Sequence, residues 1–113
     1  MLPRDLRLRQ AGDFARLRQE GRTVSGRWMV LSARPNGMAH NRYGFIVSRR
    51  VGKAVERNRA RRVMREGVRQ LHLRLVSGYD IALIARTALT EQPLSAVLPE
   101  MTRLCAQAGL MKA

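Results

Sequence analysis

Cysteine and histidine are scarce in this chain: Cys105, His40 and His72 are all it has of them in 113 residues. A lone thiol forms no internal disulfide, and the three positions match no zinc-site spacing, so no metal or other cofactor held by the protein is expected. Aromatic side chains are limited to Phe14, Trp28, Tyr43, Phe45 and Tyr79, too few for a broad platform that stacks several bases. Carboxylates number 8 and are scattered rather than paired, and no nucleophile stands beside a base. Acid–base machinery within the chain is therefore not expected. No apolar run approaches the roughly 20 residues that span a bilayer. The opening MLPRDLRLRQ is charged where a secretory signal needs its apolar stretch. A cytoplasmic protein without membrane contact is expected.

What is abundant is positive charge. The formal net charge is +14 on 12.8 kDa, with a pI near 11.8, an excess that matches phosphate better than it matches any need of solubility. Of the 22 basic residues only Lys53 and Lys112 are lysine. The rest carry guanidinium, which grips phosphate with two parallel hydrogen bonds. Codon usage in a GC-rich genome accounts equally well for arginine over lysine, but not for the total charge. A hydrophobic content of 45% argues for a packed core rather than a basic tail. The length suits a single domain over 1–113.

The charge is densest from Val47 to Arg69 (VSRRVGKAVERNRARRVMREGVR). Nine cations, Arg49, Arg50, Lys53, Arg57, Arg59, Arg61, Arg62, Arg65 and Arg69, meet two carboxylates, Glu56 and Glu66. Around this segment, Asp13 is placed to cap a short helix bearing Phe14 and Leu17 that ends at Gly21. Thr23 and Val24 suggest a short edge strand. Trp28–Ala33 and Tyr43–Ser48 read as strands joined through Pro35, Asn36 and Gly37 into an antiparallel pair. A helix is expected from about Glu56 to Leu75, a buried strand over Asp80–Ala85, and a last helix over Leu94–Leu110 with Pro99 one turn in. The order is αβββαβα, an α+β arrangement with no internal repeat.

At ~100° per residue, Arg57, Asn58, Arg61, Arg62, Arg65 and Arg69 share an arc of about 140°. Ala60, Val63, Met64, Gly67, Val68, Leu71 and Leu75 occupy the adjoining arc. One side of the helix is therefore predicted to pack and its neighbour to present guanidinium. Glu66 is placed almost opposite the basic arc and is not expected to neutralise it. Single-sign charge clustered on one helix face is the footprint of a nucleic acid. Without a zipper or zinc ligand set to read DNA, RNA of defined shape is the better target. His72 and His40 are expected at the surface and Cys105 as a small buried hydrophobe.

These residues resemble the signature of the bacterial ribonuclease P protein family, including the Arg57, Asn58, Arg59 triplet of its RNR motif. The resemblance extends to Asp13, Phe14 and Gly21 before the segment and to Gly78, Asp80 and IALIAR after it. It implies an α/β sandwich with a central mixed sheet of about four strands and the basic helix in a left-handed βαβ crossover. It also implies an accessory subunit that assists a catalytic RNA in removing the 5′ leader of precursor tRNA, with magnesium bound by the RNA and no further protein partner required. By the same resemblance Ser48, Arg49, Lys53, Arg57, Asn58, Arg59, Arg61, Arg62, Arg65 and Arg69 would dock on the catalytic RNA. Phe14, Arg18, Ile46, Arg50 and Arg57 would line the cleft for leader and precursor.

Composition is equally compatible with a ribosome-associated basic protein that has no nuclease role. A DNA-binding architectural protein would need a dimer or minor-groove wedge that the sequence does not announce, and a stand-alone nuclease would need catalytic groups that it lacks. Where some family members carry further aromatics on the first helix and first long strand, this chain has Arg18 and Ser32. A guanidinium in place of a ring predicts that affinity for a leader-bearing precursor falls more steeply with salt than affinity for a leaderless one. Equal slopes in binding titrations would count against this role for Arg18.

Overall fold

The computed structural model describes residues 11–112, apart from the side chains of residues 11–13 and 18. Its elements are α1 (Ala11–Glu20), β1 (Arg22–Ser25), β2 (Met29–Pro35), β3 (Arg42–Ile46), α2 (Ala54–Leu71), β4 (Tyr79–Ala85) and α3 (Leu94–Gln107). Short 3-10 turns lie at Arg49–Val51, His72–Arg74 and Thr87–Glu91. The helix already runs at Ala11, so Asp13 is an interior residue of its first turn rather than the cap expected from sequence; its side chain lies outside the described residues.

The sheet order is β1-β2-β4-β3, with β4 antiparallel to β2 and parallel to β3. This corrects the expected pairing of β2 with β3: they run in opposite directions, but β4 lies between them. The connection from Asn36 to Asn41 is built to admit that third strand. The Asn36 amide donates to Gly78 O at 2.9 Å, and the Asn41 carboxamide accepts from Tyr79 N at 2.8 Å and donates to Val76 O at 2.8 Å. An apolar strand such as DIALIA gains most in the centre, where neighbours flank both edges and side chains bury on both faces.

One face of the sheet carries the main core. Met29, Leu31, Ala33, Tyr43, Ile81, Leu83 and Ala85 meet Ala60, Met64, Val68 and Leu71 of α2 and Val97, Met101, Leu104 and Cys105 of α3. α2 and α3 cross closely at Gly67, where an added Cβ would stand 2.8 Å from Met101 Cε. Tyr43 is buried, its hydroxyl 2.7 Å from His72 Nδ1, and burial raises its pKa to about 12. His72 is thus half-buried and partnered, not free at the surface. Cys105 is buried as expected, and burial alone lifts its thiol to about 11.

Both long helices stop short of the expected ends. α3 closes at Gly109, φ +76°, through Gly109 N to Ala106 O and Leu110 N to Cys105 O, the paired bonds of a Schellman motif. Leu75 then bridges Met111, with Val76 N donating to Leu110 O at 2.7 Å. The residues assigned from periodicity to two helix ends instead tie the chain's last segment to the exit of α2. Pro99 sits in the unbroken body of α3 on its exposed side.

Among the described residues the opposite face of the sheet is covered in part, by α1 through Leu17 and Phe14 against Ala82. Its polar end is locked by Asp80, 2% exposed, which accepts from Arg42 Nε and Nη2 at 2.9 and 2.8 Å and from Asn36 Nδ2 at 3.0 Å. Asp80→Ala should leave these donors without their acceptor and lower stability by about 3–5 kcal/mol, read from denaturant unfolding. A loss below about 1 kcal/mol, the scale of an exposed pair, would show the site to be solvated.

Candidate nucleic-acid interface

The helix α2 is anchored at its start by Glu56, whose carboxylate accepts Lys53 N–H at 3.1 Å. Glu56 therefore serves the helix terminus, where partial positive charge favours it. With Ala60, Met64, Gly67, Val68 and Leu71 buried, the neighbouring stripe of Arg57, Asn58, Arg61, Arg62 and Arg65 is left half or fully exposed. Asn58 Oδ1 accepts from Arg61 Nη1 at 3.1 Å. The Arg65 guanidinium lies 5.9 Å from the Phe45 ring centroid, held by a β3 side chain. Among the described residues no carboxylate comes within ion-pair distance of Arg57, Arg61, Arg62 or Arg65.

Two expectations about the basic segment change. Glu66 is not opposite it: the carboxylate takes Arg69 Nε at 2.9 Å and Nη2 at 2.5 Å, three residues along the helix. Bonding to Arg69 and Gln70 holds the Glu66 carboxyl down at about 2. At about 100° per residue, positions three apart lie only about 60° from each other, which brings Glu66 within reach of the arc's edge. Arg59, the last residue of the sequence triplet, points away from the stripe. Its Nη1 and Nη2 donate to Thr90 O at 2.8 Å and Gln92 O at 3.1 Å, tying α2 to the turn before α3.

Upstream, Ser48, Arg49, Arg50 and Lys53 are all exposed on the approach to α2, and Val51 N donates to Ser48 O to close the turn. This turn continues from Ile46, at the end of β3 where the partly covered face of the sheet begins. Strand register arranges that face in rows. Thr23, Ser32, Ala82 and Gly44 form the row beneath α1; Ser25, Val30, Ile84 and Ile46 form the next. Val30, Ile84 and Ile46 stay half-exposed, an apolar strip beside the half-buried Phe14. Ser32 is buried with its hydroxyl 2.9 Å from Thr23 Oγ1, a polar contact on that face. The structure thus places Phe14 and Ile46 on one face of the sheet, against adjacent rows, with Arg50 in the turn that follows Ile46 and Arg57 in the first turn of α2; the Arg18 side chain lies outside the described residues. Val30 and Ile84 escaped the sequence reading, although their alternation with core residues along β2 and β4 carried the signal.

An arginine face and a half-exposed apolar strip, on an α+β sheet, are the arrangement of a polyanion-binding protein. The family described as Ribonuclease P matches residues 2–109 of the chain. A ribonuclease P protein component from Chloroflexus aurantiacus is 46% identical over 111 residues, covering 97% of this chain and 82% of the relative. One from Roseiflexus castenholzii is 39% identical, covering 98% and 92%. Among solved structures, the RNase P protein of Staphylococcus aureus superposes with a TM-score of 0.86 at 26% identity, covering 95% of this chain and 98% of that one. The RNase P protein of Thermotoga maritima does so with 0.82 at 32% identity, covering 89% and 96%. The chain belongs to the family of bacterial ribonuclease P protein components, accessory subunits of a tRNA-processing endoribonuclease whose partner is an RNA. Nothing in these likenesses favours the ribosome-associated alternative.

Neutralising Glu66 should release Arg69 to the face. Glu66→Gln is expected to bind the RNA partner more tightly and to steepen the slope of log K against log salt by roughly 0.7–0.9, one added phosphate contact. An unchanged slope would mean that Arg69 lies outside the interface.

Proposed function

We propose that α2 docks the protein on the catalytic RNA of ribonuclease P while the groove beside α1 holds the single-stranded 5′ leader of precursor tRNA. The observation that carries this is the stripe Arg57, Asn58, Arg61, Arg62, Arg65, half or fully exposed, which has no carboxylate partner among the described residues and follows the apolar strip along the chain, where Ile46 leads through Arg49 and Arg50 into the helix. Ser48, Arg49 and Lys53 extend the docking surface, and Arg69 joins it when Glu66 is displaced. Arg59 acts as a tie that keeps α2 in place and contributes to RNA binding through that placement. In this reading Arg57 sits at the junction of the two surfaces; its Nε is buried with no acceptor among the described residues.

The groove recognises the leader by its apolar floor. Phe14 offers its ring on the same face of the sheet as Val30, Ile84 and Ile46, and Arg50 and Arg57 supply charge for the phosphates passing over them. Such contacts track a strand without reading its sequence. Magnesium held by the RNA supplies the hydrolytic chemistry, activating water and stabilising the leaving oxygen. The protein's own buried or paired carboxylates, Asp80, Glu66 and Glu100, are already engaged by arginine or backbone donors, which fits a role in positioning. A cytoplasmic setting follows from that substrate, and no helix among the described residues is long and apolar enough to cross a membrane.

Reconstitution tests the proposal. The chain mixed with bacterial catalytic RNA at low magnesium is expected to accelerate removal of a precursor tRNA leader, and absence of any stimulation would sink it. Two variants separate the surfaces. Arg61→Ala with Arg65→Ala should weaken catalytic-RNA binding through loss of about two phosphate contacts, with a correspondingly shallower salt slope. Phe14→Ala should lower precursor affinity more than assembly. The same defect in both variants would contradict a two-surface arrangement.

A further inference from the structure

Trp28, the chain's single tryptophan, belongs to neither surface described above. It lies in the β1–β2 connection, and β1 and β3 are opposite edges of the sheet. The Arg27 guanidinium carbon stands 5.8 Å from the indole centroid. Along α3, Ala96, Pro99, Glu100 and Arg103 form one stripe beside this pair, and together the six side chains enclose a groove of about 430 Å³, within the range of small-ligand clefts.

The groove is held by specific contacts. Glu100, 6% exposed, accepts the backbone N–H of Arg27 at 2.5 Å and of Trp28 at 2.9 Å, fixing the connection against α3. Gly26 permits this approach, since a Cβ there would stand 2.7 Å from Glu100 Cδ. Arg103 Nη2 lies 3.6 Å from Glu100 Oε1. Two guanidiniums against one carboxylate leave the groove with a net positive charge, and that carboxylate is turned inward onto backbone donors. Arg27 and Arg103 are exposed at the rim, and the indole is half-buried. A flat aromatic surface, a guanidinium stacked on it and a second guanidinium across the groove suit a base with its phosphates.

We propose that this groove binds an unpaired nucleotide of single-stranded RNA, its base against the Trp28–Arg27 pair and its phosphates on Arg27 and Arg103. The inference rests on the reading of the chain as an RNA-handling subunit and adds a third contact to it, outside the α2 face and the α1 groove.

Because no other tryptophan is present, intrinsic fluorescence reports on the groove directly. Short oligo-uridylate and oligo-adenylate added to the full chain are expected to produce a saturable change in Trp28 emission. Arg27→Ala with Arg103→Ala should raise the half-saturating concentration by roughly tenfold. The Arg61→Ala, Arg65→Ala chain should retain the emission change, showing that it does not originate at α2. Inorganic polyphosphate should leave the emission unaltered, and an equal response to it would overturn recognition of a base. No response to either oligonucleotide, in a chain that still stimulates leader removal by the catalytic RNA, would overturn the groove while leaving the ribonuclease P reading intact. Loss of that stimulation with a preserved emission change would instead count against the wider reading.

Discussion

The constraint on which this structure depends is the confinement of like charge on α2. Arg57, Arg61, Arg62 and Arg65 repel one another, and no described carboxylate relieves them. Two unit charges about 8 Å apart in water repel by about 0.5 kcal/mol, whereas burying one Val, Leu or Met side chain contributes about 1.5–3 kcal/mol. Four such side chains or smaller ones on the other face, Ala60, Met64, Val68 and Leu71, therefore outweigh the repulsion. In the proposed complex an RNA backbone would reverse the sign of the remaining term, so the same face that costs stability in the free protein would favour association.

The rest of the fold keeps that helix where it is. β3 and β4 run parallel side by side, and α2 must travel back between them. Arg59 fastens the helix to the turn ahead of α3, and Phe45 underlies Arg65 from β3. On the other face of the same sheet, the described part of α1 packs over Ala82 and leaves Val30, Ile84 and Ile46 half-exposed. That apolar strip and the basic helix are linked along the chain, because β3 ends at Ile46 and leads, through one 3-10 turn, into α2.

The chain's arginines, nearly uniform in sequence, divide by what surrounds them. Arg42 is bound to buried Asp80, Arg59 to backbone carbonyls, Arg69 to Glu66 and Arg34 to Glu20. Those serve the protein itself. Arg61, Arg62 and Arg65 on the helix, like Arg27 beside Trp28, have no carboxylate partner among the described residues. Arg59 and Arg61 are two residues apart, yet one is a structural tie and the other lies on the basic stripe, because 200° of helix rotation separates them at about 100° per residue.

Periodicity and composition sufficed for the order of elements, the buried side of α2, the inert Cys105 and the basic face, because each follows from local spacing along one element. The Arg57, Asn58, Arg59 triplet carried the family. Long-range pairing was not legible. Insertion of β4 between β2 and β3 depends on Asn36 and Asn41 reaching residues about forty positions away, and the ends of α2 and α3 were set by the Leu75–Met111 bridge. Single-helix geometry could not show that Arg59 meets Thr90 and Gln92, or that Glu100 reaches back to Arg27 and Trp28. Sequence alone determined which residues carry charge and which faces are apolar. Tertiary structure decided which charges are consumed internally, since a guanidinium is free or spent only according to the carbonyls and carboxylates that distant segments bring within about 3 Å of it.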